Sequence, residues 1–319
     1  IKGLLSICFN PLVSLPNNQY VREALEKLEF YGGIDFFLSE SLRHADIILA
    51  GSLHEEEEGT VTSAEGRVIR IRQVAHPPAQ AKKDSEILME LARRLGVGDK
   101  FDYANSEATF NELRKASKGG SADYYGISYA KVEANMGVFW PCPTEDHPGT
   151  PRLWEDRQFN TPDKRAHFQP TRYVPPAEVP DAEYPIILTT GRVVSQYLSG
   201  SQTRRIGKLV DLYPDPLLEI HPLLAEKYGI QQDDWVSVKT RRGEAIFRAA
   251  VVETIRADTV FLPYHWGGVH AANQLTNDAL DPVSKIPEFK ACACSLAPVD
   301  HKWDKQAESR AYQSRNVLD

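Results

Sequence analysis

Two stretches of this sequence hold the residue types needed to grip a polar, anionic ligand. The first runs Thr189-Thr190-Gly191-Arg192-Val193-Val194-Ser195-Gln196-Tyr197-Leu198-Ser199-Gly200-Ser201-Gln202-Thr203-Arg204-Arg205. A strand signal ends at Thr190, and two glycines then bracket a run of hydroxyls and amides. Glycines let a backbone approach a ligand closely, and hydroxyls and exposed amides satisfy phosphate oxygens. By composition alone, an ordinary polar loop accounts for the stretch as well as an anion-binding loop does.

The second stretch, from Asn273 to Lys290, follows a Tyr264-His265-Trp266-Gly267-Gly268 turn. A lone histidine such as His265 suits a structural role. Lys285 and Lys290 suit either chains laid over apolar surface or cations aimed at a ligand. The pairs Arg204-Arg205 and Arg241-Arg242 read as solvated turns or strand ends. The cysteines, Cys8, Cys142, Cys292 and Cys294, include no Cys-x-x-Cys pair, which argues against a zinc ribbon or a cysteine-bound cluster within the chain. On a strand, Cys292 and Cys294 point to one face, and they read as buried thiols in a reducing compartment.

Elements that could position these stretches follow from periodicity. The first hundred residues alternate: a strand over Leu4–Phe9, a helix over Val21–Phe30, strands at Ile34–Leu38 and Ala45–Ala50, and a helix over Asp84–Leu95. This rhythm predicts a parallel sheet flanked by helices. Ten of the 21 prolines fall between Pro141 and Pro185, which opposes helix and central strand alike. Residues 135–181 are therefore expected to form an extended connector, anchored on the surface by Trp140, Trp154, Phe159, Phe168 and Tyr173. From Tyr184 the texture is that of a compact β-barrel. Strands are predicted at Ile186–Thr190, Leu217–Ile220, Trp235–Thr240, Ala245–Val252 and Thr259–Tyr264, with a helix at Pro222–Tyr228 closed by Gly229.

The 319 residues suffice for two domains. A net charge of -7 argues against a nucleic-acid partner, and no apolar run approaches the roughly 20 residues that span a bilayer. The chain opens Ile1-Lys2-Gly3-Leu4-Leu5, without an initiator methionine, so its start is expected to be cut.

Read in order, the motifs resemble the C-terminal region of the molybdopterin oxidoreductases, which include nitrate reductases, formate dehydrogenases and dimethyl sulfoxide reductase. Phe9-Asn10-Pro11 resembles the family's turn after a sheet strand. Ala45-Asp46-Ile47-Ile48-Leu49, Glu56-Glu57-Glu58-Gly59-Thr60 and Ala64-Glu65-Gly66-Arg67 resemble its next passage. Trp140-Pro141-Cys142-Pro143 and His147-Pro148-Gly149-Thr150-Pro151 resemble its connector, and the two polar stretches its barrel loops.

The resemblance implies an α/β chain: a partial dinucleotide-binding α/β domain over 1–134, the connector over 135–181, and a double-psi β-barrel with a C-terminal tail over 182–319. It implies a pair of molybdopterin guanine dinucleotides (bis-MGD) holding molybdenum or tungsten, with a 4Fe-4S cluster held upstream. Cofactor contacts carried over by position are Asn10, Ile34 (through its backbone), Asp35 and Asp84. In the barrel they are Thr190, Gly191, Arg192, Gln196, Ser199, Gly200, Gln202, Thr203, Asn273 and Lys290. The resemblance places the metal-ligating cysteine or selenocysteine upstream too, so no catalytic residue and no metal ligand is expected here. Gln196 and Leu198 stand where many relatives place histidines, and Glu57 where some nitrate reductases have lysine.

The implied activity is two-electron chemistry of nitrate-reductase type, with formate dehydrogenase and a non-catalytic cofactor-binding subunit as alternatives. A small anionic substrate, an electron-transfer partner protein, no transmembrane segment and a cytoplasmic location complete the expectation.

Overall fold

A computed structural model of the chain describes residues 1–300. The chain divides into two compact units, one of residues 1–49 and 173–319, the other of residues 50–172. The tail beyond residue 300, which the sequence reading attached to the barrel domain, lies outside the described residues.

The first unit opens with strand β1 (Gly3–Ile7), a short helix α1 (Pro11–Ser14), helix α2 (Asn18–Glu26), and strands β2 (Phe30–Asp35) and β3 (Ile47–Ala50). They form a three-stranded sheet in the order β1-β2-β3, with β1 and β2 parallel and Ile7 opposite Ile34. The expected helix over Val21–Phe30 in fact starts at Asn18 and stops at Glu26. Phe30 instead begins β2, where it pairs with Gly3, so the expected strand at Ile34–Leu38 lies four residues earlier. Gly32 and Gly33 weaken the strand signal there, yet packing requires a glycine at 33. A Cβ at Gly33 would stand 2.0 Å from Leu42 Cδ2.

The second unit holds an antiparallel sheet of β4 (Gly59–Thr62), β5 (Arg67–Ile71) and β6 (Val138–Phe139). Its helices are α3 (Asp84–Arg94), α4 (Ser106–Ser117) and α5 (Tyr129–Ala134). Asn105 and Ser128 cap α4 and α5 with side-chain oxygens that accept from Ala108 and Lys131 N–H. Val68, Phe110, Ile127, Tyr129, Val132, Val138 and Cys142 form the core.

The connector anchors as expected only in part. Trp140 packs on that core and stacks on Tyr124, and Trp154 stacks on Phe159. Phe168 and Tyr173, expected as anchors, are 98% and 85% exposed. The anchor in their stretch is a carboxylate: Glu178 makes an ion pair with Arg242, the two side chains only 10% and 13% exposed, and accepts Ala293 N–H at 2.6 Å. Arg242 also donates to Leu275 O at 2.9 Å, so it is not a solvated turn residue.

The rest of the first unit is a closed barrel. Its elements are β7 (Ile186–Gly191), α6 (Gly207–Leu212), β8 (Leu217–Ile220), α7 (Pro222–Tyr228), β9 (Trp235–Lys239), β10 (Glu244–Val251), β11 (Thr259–Pro263) and β12 (Cys292–Pro298). The strand order is β10-β8-β11-β7-β12-β9, closing from β9 back onto β10. Two pairs are parallel, β7 with β11 and β8 with β10; the others are antiparallel. Closure leaves no unpaired edge. Leu188, Leu218, Ile220, Val236, Val238, Phe247, Val260 and Leu262 fill the interior, fully shielded. Each such chain contributes about 1.5–3 kcal/mol on burial. Helix α7 begins with Pro222 after His221, whose Nδ1 accepts Leu223 N–H, and ends at Gly229 in the left-handed region. Cys292 and Cys294 lie two apart on β12, both buried.

Candidate functional site

The carboxyl ends of parallel strands are where open α/β sheets bind ligands. Asn10 follows β1 and Asp35 ends β2, so the sheet offers both at that edge. Asp35 is half-buried, and its Oδ1 accepts Phe36 N–H at 2.8 Å. Ile34 is a core residue whose backbone oxygen already accepts Cys8 N–H at 2.9 Å. Asn10 is buried and fully engaged. Its Nδ2 donates to Glu40 at 2.7 Å and reaches Ser201 Oγ at 3.5 Å, while its Oδ1 accepts from Ser41 Oγ at 2.6 Å.

Glu40 then meets Arg204 at 2.8 Å, with the two side chains 12% and 11% exposed. This buried pair overturns the reading of Arg204-Arg205 as a solvated turn. Arg205 is likewise tied down: it donates to Ser201 O and lies over the Phe37 ring, 4.4 Å from its centroid. The polar loop after β7 is thus joined to the sheet through Asn10, Glu40 and Arg204. Sequence reasoning missed Glu40. A small signal exists in Gly267, where a Cβ would stand 2.7 Å from the Glu40 carboxylate.

Inside the loop, Thr203 Oγ1 donates to Gln196 Oε1 at 2.7 Å and accepts Tyr197 N–H at 3.0 Å. Ser199 and Ser201 hydroxyls lie 3.0 Å apart. Gly200 holds φ +73°, and a Cβ there would stand 2.4 Å from His265 O, so only glycine fits this crossing. Gly191 is packed against Phe261 in the barrel wall. Thr190 Oγ1 donates to Phe289 O at 2.8 Å, and Lys290 Nζ donates to Thr190 O. Asn273 is buried, donating to Val13 O at 2.6 Å and accepting from Thr276 Oγ1 at 2.9 Å.

The expected site residues therefore separate into two groups. Asn10, Thr190, Gln196, Thr203 and Asn273 spend their side chains on the scaffold. Arg192 and Lys290 are exposed, and Asp35, Ser199 and Gln202 are half-buried. Arg192 donates to Tyr264 Oη at 2.6 Å, which aims its guanidinium. Asp84 belongs to the other unit. It opens α3, its Oδ1 accepts Ser52 N–H at 3.2 Å, and its N–H donates to Glu57 at 2.7 Å. A carboxylate at a helix N-terminus is favoured by the helix dipole in any case.

His265 is fully buried behind the loop. Burial pushes its pKa below the ordinary histidine value; the Leu198 carbonyl opposes this, and Arg192 and Arg204 add to it. The outward residues of the barrel, Arg192, Ser199, Gln202 and Lys290, form a set of cations and hydrogen-bonding groups, with the neighbouring carboxylate Glu40 paired to Arg204. Such a set fits a phosphate-bearing ligand. Among the described residues no group of three or more His, Cys, Asp or Glu could hold a metal ion.

A barrel carrying a donor-rich loop, beside an α/β sheet, defines a class of nucleotide-cofactor proteins, and comparison with known proteins narrows it. Residues 1–94 match the family model Molybdopterin oxidoreductase, and residues 186–293 match the Molydopterin dinucleotide binding domain. The chain belongs to the molybdopterin oxidoreductase family.

It is 45% identical over 302 residues to the assimilatory nitrate reductase catalytic subunit of Bacillus subtilis, covering 94% of this chain and 42% of that protein. It is 41% identical over 296 residues to the F420-dependent formate dehydrogenase subunit alpha of Methanocaldococcus jannaschii, covering 93% and 43% respectively. The chain thus spans about two-fifths of the length of these relatives. Acetylene hydratase from Pelobacter acetylenicus shares the fold, with a TM-score of 0.69 at 20% identity over 93% of this chain and 44% of that one.

Proposed function

We propose that this chain holds and orients a pair of pterin guanine dinucleotides carrying molybdenum or tungsten, as part of a nitrate-reductase-like enzyme. The observation that carries the reading is the loop of residues 192–205, cross-linked by its own hydrogen bonds, which presents Arg192, Ser199 and Gln202 outward. When bound, the cofactor supplies two-electron redox chemistry at its metal; the protein supplies binding, orientation and electrostatics.

In this reading Arg192 and Lys290 balance diphosphate charge, and Ser199 and Gln202 donate to its oxygens. Asp35 accepts from guanine or ribose donors. Asn10, Ile34, Gly191, Gln196, Gly200, Thr203, Thr190 and Asn273 serve through backbone groups or by fixing the others. Asp84, at the start of α3, is a cofactor contact by resemblance alone.

We assign residues 1–134 to the partial dinucleotide-binding domain, 135–181 to the connector and 182–319 to the barrel domain. The interleaved parallel pairs of β7 with β11 and β8 with β10 support a double-psi barrel. A 4Fe-4S cluster, the metal ligand, the binding of a small anionic substrate and the electron-transfer partner would involve residues outside this chain. No described helix is long and apolar enough to cross a membrane. We place the chain in the cytoplasm, a reducing compartment in keeping with the buried thiols Cys142, Cys292 and Cys294.

Formate oxidation is the second reading, favoured by the similarity to the formate dehydrogenase subunit. The deciding experiment takes the full-length protein, measures guanine nucleotide, pterin and metal per polypeptide, and compares nitrate reduction with formate oxidation. Absence of pterin would sink the proposal. Formate oxidation without nitrate reduction would establish the second reading.

A further inference from the structure

His265 lies just beyond β11, and both of its ring nitrogens meet the backbone of the polar loop. Its Nδ1 stands 2.6 Å from Leu198 O, and Val193 N–H points at Nε2 across 3.0 Å. The partners fix the tautomer. A carbonyl only accepts, so Nδ1 carries the hydrogen; an amide N–H only donates, so Nε2 is bare. The ring is therefore neutral. It bridges the two ends of the segment 193–198, the segment that holds Gln196 in its bond to Thr203.

We propose that His265 is a positioning residue for the cofactor loop: its neutral ring clamps Val193 to Leu198, and protonation of the ring releases the clamp. A proton on Nε2 would set two donors, Nε2–H and Val193 N–H, against each other. The proposal rests on the reading of this loop as cofactor-binding.

The two guanidiniums near the ring act in one direction. Arg192 at the end of β7 and Arg204 in the turn of residues 203–205 both oppose a positive ring, and Glu40 is already committed to Arg204. Tyr264 and Trp266 close its sides, with ring centroids 4.7 and 6.1 Å away. Leu198 O favours the charged form, but burial and the two guanidiniums outweigh it. A histidine with a lowered folded pKa contributes fully above the unfolded value of about 6.5, and loses that contribution as pH falls through the folded value. The clamp is thus firm at neutral pH and loosens in acid.

The test uses two variants and two measurements. His265→Leu removes both bonds. His265→Gln keeps one acceptor and one donor but cannot titrate. In the full-length protein, pterin retained per polypeptide after gel filtration is followed from about pH 7.5 downward, past the unperturbed histidine value of about 6.5 and through the lower folded value. In this chain without cofactor, amide exchange at Val193, corrected for its intrinsic pH dependence, and the nitrogen shifts of the His265 ring are followed by NMR.

Wild type is expected to show the Nδ1–H tautomer and lose protection of Val193 in acid. His265→Leu should exchange about tenfold faster at neutral pH, as loss of one net hydrogen bond implies, and should retain less pterin there, with the difference from wild type closing in acid. His265→Gln should restore protection and abolish its pH dependence. Wild-type exchange or pterin retention in a folded His265→Leu would overturn the proposal. So would a protonated or Nε2–H ring in wild type at neutral pH, a measurement that holds even if the leucine variant does not fold. Absence of pterin from the wild-type protein counts against the proposed function, while the exchange and tautomer measurements still decide whether the clamp exists.

Discussion

The barrel and the three-stranded sheet of the same unit bury their strands in opposite fashion. Every barrel strand has two partners, and its inward chains are almost wholly shielded. The sheet β1-β2-β3 instead leaves Leu4, Leu5, Ile7, Phe30, Ile47, Ile48 and Leu49 exposed. Parallel sheets are ordinarily covered on both faces. The barrel is therefore a self-sufficient core, whereas the sheet within this chain depends for its order on α1, α2 and on Asn10, Asn17 and the segment after Gly267 that meets them.

The largest test of this contrast is truncation within each region. Phe247→Ala is expected to lower stability by about 3–5 kcal/mol in a denaturant titration, because it empties the barrel centre. Leu5→Ala in the sheet should change it by no more than about 0.5 kcal/mol. Equal losses at the two positions would erase the distinction.

Glu178→Ala should cost about 3 kcal/mol, since it leaves the Arg242 charge buried without its carboxylate. Burial alone would raise the Glu178 pKa, but the Arg242 bond, the Ala293 N–H and nearby Arg241 hold it below the usual carboxylate range. Its contribution is therefore present above about pH 4.3, the unfolded value, and is lost as pH falls through the lower folded value. A Glu178→Gln variant should show a shallower loss of stability in acid than wild type, read from denaturation midpoints across that range.

Gly229→Ala, at a left-handed helix end, should cost about 1 kcal/mol with no change in the sheet. The gentlest probe is thiol labelling. Cys8, at the exposed end of β1, should react with a maleimide in the native chain; Cys292, its thiol pushed up by burial, should react only on unfolding. Comparable native rates would place both in one kind of environment.

Most of the barrel was legible because its signals are local, but its closing strand β12 and helix α6 were not predicted. Pro222 and Gly229 bracket α7, short apolar runs mark β8 and β11, and Val236 and Val238 alternate with Ser237 in β9. Strand β2 was misplaced because Gly32 and Gly33 are chosen for a neighbour, Leu42, that periodicity does not reveal. The elements β4, β5, β6, α4 and α5 carry short or mixed patterns that a reading by apolar period passes over. The positions matched by resemblance gave no warning that several side chains are consumed by the scaffold. Glu40 and Glu178 look like ordinary surface carboxylates until partners 164 and 64 residues away are brought to them.

The closing strand of the barrel has a consequence for how the molecule is made. Strand β12 pairs with both β7 and β9, so one edge of each of those strands stays open until the last strand is in hand. Contacts this far apart in sequence form slowly. During synthesis, β7 to β11 must leave the ribosome with open edges and wait for Pro298. That interval, rather than the finished protein, is when the chain is most open to chaperones, proteases and misplaced pairing.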